Sequence, residues 1–129
     1  MDLQSLLPEL KNLVDSYEEL LDKGKIILLS REFSIIDQFI SFLRETVINT
    51  YKLLPLVKSK ILEQQGSTDK LYKYISTYYR MITLIDIPYL ISILKQIADK
   101  LEKENERRDY EQLVRIIDDI EKFMDTLRS

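Results

Sequence analysis

Apolar residues recur every three or four positions along most of this chain, which is the spacing of one buried face of an α-helix. The pattern predicts four helices, over about residues 3–22, 26–61, 71–101 and 109–128. Gly24, with a lysine on either side, is typical of the end of the first helix. The clearest turn covers residues 64–69, where Gly66 precedes Ser67-Thr68-Asp69, residue types that cap a new helix.

Two long helices and two shorter ones joined by short turns predict an all-α antiparallel bundle, because sequence neighbours must then run in opposite directions. We expect the long helices to be central and the shorter ones to flank them at one end. Residues 46–84 then project as a two-helix arm of about 30 Å. Pro55 and Pro88 leave an alternative open: if they break the long helices, the arm folds back into a compact bundle of five or six helices.

An arm of this kind carries more apolar side chains than one helix seam can bury, among them Leu53, Leu56 and Leu84. An exposed apolar patch of more than a few hundred Å² usually marks an interface. We therefore expect a homodimer through residues 46–84. Residues 84–97 are apolar on nearly all sides, which predicts a central position in the bundle.

The composition indicates one folded, all-helical domain over residues 1–129. Apolar residues make up 45% and charged residues 32%, with only two Gly and three Pro to interrupt helices. The chain contains no Cys and no His, which excludes thiol and imidazole catalysis and zinc sites built on these residues. Both glycines are isolated, so no glycine-rich loop can bind a phosphate. We expect a protein without a cofactor that is not an enzyme.

No targeting segment is recognised in this sequence. The first residues are acidic and amphipathic instead of basic and then apolar, so we expect no signal peptide. The most apolar window, residues 84–94, contains Asp86 and Pro88 and has about half the length that crosses a bilayer. These features predict a cytoplasmic protein without a membrane partner. The abundance of Ile, Lys and Glu is typical of thermophile proteins.

Positive charge is concentrated in residues 46–84. Six basic and two acidic residues give this segment +4, while the whole chain carries −3, so the remainder carries −7. Tyr72-Lys73 and Tyr79-Arg80 are seven residues apart, which places two aromatic and basic pairs on nearly the same helix face. The candidate binding residues are Lys52, Lys58, Lys60, Lys70, Tyr72, Lys73, Tyr79 and Arg80.

Two interpretations of these residues stay open. Helical lysines ordinarily keep a surface hydrated, and Tyr74 and Tyr78 fall near the apolar stripe, so a purely structural role is compatible with the pattern. Alternatively, the cations contact an acidic protein surface, or they contact the phosphates of RNA or single-stranded DNA while the tyrosine rings meet the bases.

Two lines of carboxylates suggest a third kind of chemistry. Acidic residues three or four positions apart can hold Mg²⁺ or a di-iron centre when they converge across a helical bundle. The lines are Asp15, Glu18 and Asp22 in the first helix and Asp118, Glu121 and Asp125 in the last. Because both lines lie off the apolar stripes, we expect them to face water, and a carboxylate-metal-dependent hydrolase is the second alternative function.

In its size, helical content and basic segment the chain resembles the small helical subunits of type III CRISPR effector complexes. Its composition, rich in Ile, Lys and Tyr, is similar to that of small helical regulators of archaeal viruses. No individual residue carries over from either group. The sequence predicts a non-catalytic adaptor, complex subunit or regulator that binds a larger protein assembly through residues 46–84, and the alternative is a nucleic-acid-binding subunit of a ribonucleoprotein complex.

Overall fold

The computed structural model describes residues 2–30 and 32–128, and within them it contains helices and no strand. The predicted all-α antiparallel bundle is confirmed. The four helices are α1 (Leu3–Ser30), α2 (Ile36–Glu63), α3 (Lys70–Lys103) and α4 (Arg107–Arg128). Within α3, a π-helical segment, Met81–Asp86, connects the α-helical halves Lys70–Arg80 and Ile87–Lys103.

Helix α1 packs against α2 and along the whole of α3, whereas α4 packs against the C-terminal half of α3 and against α2. Buried apolar residues from all four helices form one continuous core. Short connections make consecutive helices antiparallel, so α1 and α3 are neighbours that run in the same direction. The outward side of α3 therefore faces away from α1, from α2 along the N-terminal half and from α4 along the C-terminal half.

The predicted end of the first helix at Gly24 is wrong. Gly24 lies buried inside α1, which continues to Ser30. A Cβ atom at this position would lie 2.8 Å from Cγ2 of Ile93, so the missing side chain is what lets α1 and α3 approach closely. Because residues 26–30 continue α1, Ile26 and Leu29 point outward instead of into the core, and Leu29 is 87% exposed.

Residues 46–84 do not project as a two-helix arm, which corrects that prediction. Helices α1 and α2 have 28 residues each, so α1 covers α2 over its full length. The N-terminal half of α3 also packs against α1. The end of α4 reaches the same region, since the ammonium of Lys58 donates a hydrogen bond to the carbonyl of Leu127.

Neither Pro55 nor Pro88 breaks its helix, so the compact alternative with five or six helices is wrong as well. Helix α2 continues through Pro55 to Glu63. Pro88 follows the π-helical segment, in which the N–H of Ile87 bonds the carbonyl of Ile82, five residues earlier. This wider turn accommodates a proline ring that would clash with the carbonyl four residues before it in a regular α-helix.

The predicted turn between α2 and α3 is confirmed. Gly66 has φ +83°, the left-handed region that glycine occupies without strain. The Asp69 carboxylate then accepts a hydrogen bond from the N–H of Leu71 at 3.0 Å and caps α3. This cap fixes where α3 begins.

We expect Gly24→Ala to lower the free energy of unfolding by about 1 kcal/mol. Overpacking a core costs about 1–3 kcal/mol, and the better helix propensity of alanine offsets up to about 1 kcal/mol of it. In an Ile93→Ala background the obstructing methyl group is absent, so the same substitution should stabilise. Urea denaturation of the four proteins in this double-mutant cycle measures both effects. Equal destabilisation in the two backgrounds would contradict the close approach described here.

Candidate interaction surface

Three of the predicted cations lie on one face of the N-terminal half of α3. Lys70, Lys73 and Arg80 are exposed, and their spacing of three and seven residues keeps them on one side of the helix. Ile75 and Ile82 mark the opposite, buried side. Among the described residues, none of the three cations forms an ion pair. We call Lys70, Lys73 and Arg80 the basic face.

The tyrosines beside the basic face are anchored in the bundle. Tyr72 and Tyr79 are half-buried and pack against the core. Burial raises the pKa of the Tyr79 phenol, because the charged form loses hydration. Tyr78 is half-buried as well, in agreement with the structural interpretation, whereas Tyr74 is exposed. Only part of each anchored ring is accessible to a binding partner.

The three lysines of α2 are separated from the basic face or already engaged. Lys58 is half-buried and satisfies a carbonyl at the C-terminal end of α4, where a positive charge also complements the helix dipole. Lys60 lies 3.4 Å from the carboxylate of Glu63. Lys52 is exposed at a different place, the groove between α1 and α2. The structure thus groups five of the eight predicted residues, all on α3.

The groove between α1 and α2 was missed from the sequence. It encloses about 370 Å³, with Glu9 on the α1 side, Lys52 on the α2 side and Leu53 among its apolar residues. Such a groove forms because two helices diverge at their outer surfaces. No periodic feature of either helix alone predicts it.

An apolar patch continues the outward side of α3 beyond Arg80. Leu84 is 66% exposed and Ile85 is 60% exposed, although residues 84–97 were predicted to be central. The prediction holds for Leu90 and Leu94, which are buried. Leu84 and Ile85 both belong to the π-helical segment. One feature of the sequence indicates this patch: Leu84 follows Arg80 by four residues and therefore lies on the same face of the helix.

Helix α3 is also long and apolar enough to cross a membrane by length and composition alone. It has 34 residues, and among the described residues it is the one helix that meets this criterion. Half of its most apolar window is buried inside the bundle. The central helix of a packed bundle meets the same criterion.

Buried polar groups lie where α1, α2 and the π-helical segment of α3 meet. The Tyr17 hydroxyl lies 2.7 Å from that of Thr50, which donates to the carbonyl of Thr46 at 2.8 Å. Asp86 is only 8% exposed, and its Oδ2 atom has no hydrogen-bond partner among the described residues. Burial raises the pKa of the Asp86 carboxyl, and the nearby Glu18 carboxylate raises it further.

The two carboxylate lines are exposed, as their sequence positions predicted. Asp118 pairs with Lys122 at 2.9 Å, and Glu121 lies 3.6 Å from Lys95 of α3. In the part of the chain that the structure describes, no three acidic side chains are grouped so that they could hold a metal ion.

Comparison with protein families, with curated proteins and with solved structures gives no match for this chain. The chemistry of the surface therefore rests on its own residues. Three cations with no ion-pair partner in residues 2–30 and 32–128, and an adjoining apolar patch, lie on one side of a helix that is fixed by its buried side. This arrangement suits contact with an anionic surface that also offers apolar groups.

We expect Asp86→Asn to raise the free energy of unfolding at pH 7 by about 1 kcal/mol, since it removes a buried charge whose Oδ2 atom has no hydrogen-bond partner in the part of the chain that the structure describes. The carboxyl pKa is higher in the folded than in the unfolded protein, so the folded state binds more protons between the ordinary value of 3.8 and the raised value. Wild-type stability therefore falls as pH rises through that window.

Urea denaturation from pH 3 to pH 8 measures this effect, and the advantage of Asp86→Asn should disappear at the acidic end. Asp15→Asn removes an exposed carboxylate of α1 and should change the free energy of unfolding little across this range. Destabilisation by Asp86→Asn at pH 7 would show that the carboxylate has a stabilising role.

Proposed function

We propose that this protein is a non-catalytic helical interaction protein, acting as an adaptor, complex subunit or regulator that binds a larger protein assembly through α3. The observation that supports this proposal is the basic face, whose three cations have no ion-pair partner among the described residues. Residues 46–84 contain six basic and only two acidic residues, so most of these cations have no counter-charge within their own segment.

The exposed apolar patch next to the basic face favours a protein partner. Protein interfaces combine a water-excluding apolar centre with a charged or polar rim. Leu84 and Ile85 supply the apolar component, and Arg80 lies one helical turn away from Leu84. Charges at the rim accelerate encounter and select an acidic partner more than they add affinity.

Nucleic acid is the second candidate partner, and the repeated Tyr-Lys and Tyr-Arg pairs favour it. Phosphates can contact Lys73 and Arg80 while a base stacks on the accessible part of Tyr72 or Tyr79. Three cations that displace counterions from a single strand predict that log K falls with log salt with a slope of about −2. A protein of this kind would act as a subunit of a ribonucleoprotein complex.

The decisive experiment is a pull-down from native lysate with the tagged wild-type protein, with and without nuclease treatment. Lys73→Glu/Arg80→Glu should reduce recovery of the partner at least about tenfold, because it places two negative charges on the basic face. Lys11→Glu/Lys103→Glu changes the net charge equally at two exposed positions outside this face and should retain recovery.

The nuclease arm separates the two candidate functions. Recovery that survives nuclease and depends on Lys73 and Arg80 supports a protein partner, which purified components then confirm. Recovery lost on nuclease treatment supports nucleic acid, and titration of a single-stranded oligonucleotide at several salt concentrations checks the predicted slope. Equal recovery by both double variants and the wild type would place the interaction elsewhere on the molecule.

A further inference from the structure

The exposed residues on the outward side of α3 are spaced symmetrically along the helix. Neither an acidic protein partner nor a nucleic acid requires this symmetry. The exposed residues follow one another at intervals of three or four from Lys70 to Glu102. We call these exposed residues the outer stripe. Each stripe residue that precedes Asp86 has a counterpart the same number of residues after Asp86. Two copies of α3 that lie antiparallel, with their Asp86 levels aligned, bring these counterparts face to face.

The charges at the ends of the outer stripe are complementary in this arrangement. Lys73 meets Asp99 of the second copy, and Lys70 meets Glu102 of the second copy. Among the described residues, all four side chains are exposed and none forms an ion pair within its own chain. A two-fold axis generates each pair twice, so the complementarity counts double in the dimer.

The intermediate positions bring no two like charges directly opposite each other. Thr77 meets Lys95, whose ammonium is 3.6 Å from Glu121 of its own chain and so has its charge compensated. Arg80 lies opposite Ser92 of the second copy, and the small serine side chain leaves room for the long arginine side chain. Two identical surfaces pair well only when no like charges lie directly opposite each other, and the outer stripe meets this condition.

The centre of the outer stripe is apolar. Leu84 meets Pro88 of the second copy on either side of the axis, and Ile85 lies beside them. Leu84 and Ile85 are among the most exposed large apolar side chains of the protein, at 66% and 60%. An apolar centre flanked by charges of opposite sign at its two ends is the usual arrangement of an interface core and its rim.

We infer that a second copy of this chain occupies the outer stripe, giving a two-fold antiparallel homodimer through α3. The expected dimer through residues 46–84 is thereby relocated, since the carboxylates that it uses, Asp99 and Glu102, lie outside that segment. The inference goes beyond the proposed function, and because Lys70 and Lys73 serve both contacts, the second copy and an acidic partner compete for them. A seam of one helix per protomer is small, so we expect a dissociation constant between about 1 μM and about 1 mM.

Sedimentation of the purified wild-type protein at low salt, from about 10 μM to about 1 mM, tests this inference. Lys73→Asp and Asp99→Lys should each weaken dimerisation about tenfold, because each turns two attractive pairs into two like-charge contacts. The combined Lys73→Asp/Asp99→Lys protein exchanges the charges and should recover to within about threefold of the wild type. Circular dichroism verifies that these exposed substitutions leave the helices intact.

A second comparison tests the apolar centre. Leu84→Asp should abolish dimerisation, whereas Ile26→Asp, at an exposed isoleucine on α1, should leave it unchanged. A wild-type protein that stays monomeric throughout, a combined charge exchange that recovers nothing, or a Leu84→Asp protein that still dimerises would each overturn the inference. No partner is present in these measurements, so their failure leaves the proposed function standing, and failure of the pull-down leaves the dimer standing.

Discussion

The close approach of α1 to α3 at Gly24 determines most of what this molecule presents to its surroundings. A Cβ atom there would lie 2.8 Å from Ile93, so only glycine permits the two helices to pack at this distance without displacement. Helix α1 can then continue to Ser30 and cover both α2 and α3. With its inner side held by α1, α2 and α4, α3 exposes one fixed side, and the residues of that side are the ones available for binding.

The π-helical segment connects two features that are otherwise unrelated. Its wider turn accommodates Pro88 and changes the direction in which the neighbouring side chains point. The same segment contains Asp86, which is buried with no hydrogen-bond partner for Oδ2 among the described residues, and Leu84 and Ile85, which are exposed. An unpartnered buried carboxylate and an exposed apolar pair both cost stability in an isolated chain. Their shared origin in one segment is why the apolar patch lies level with Asp86.

Features that depend only on adjacent residues could be predicted from the sequence. Features that depend on a neighbouring helix could not. The Gly66 turn and the Asp69 cap need only adjacent residues, and both were predicted. Gly24 is ambiguous for a physical reason: a glycine after an apolar stripe indicates either a helix end or a close helix contact, and only the position of Ile93 decides between them. The mistaken end then placed Ile26 in the core of the second helix and made the first helix too short, which produced the projecting arm.

The same limit applies to charge. A net charge of +4 for residues 46–84 treats every lysine as available, but folding assigns Lys58 to a carbonyl of α4 and Lys60 to Glu63. The basic face that remains is smaller than the segment suggested and is confined to α3. Two exposed carboxylates, Asp99 and Glu102, lie on the C-terminal half of α3, outside that segment. Charge summed over a stretch of sequence therefore misplaces a binding surface, because the fold decides which of the summed charges share one exposed side.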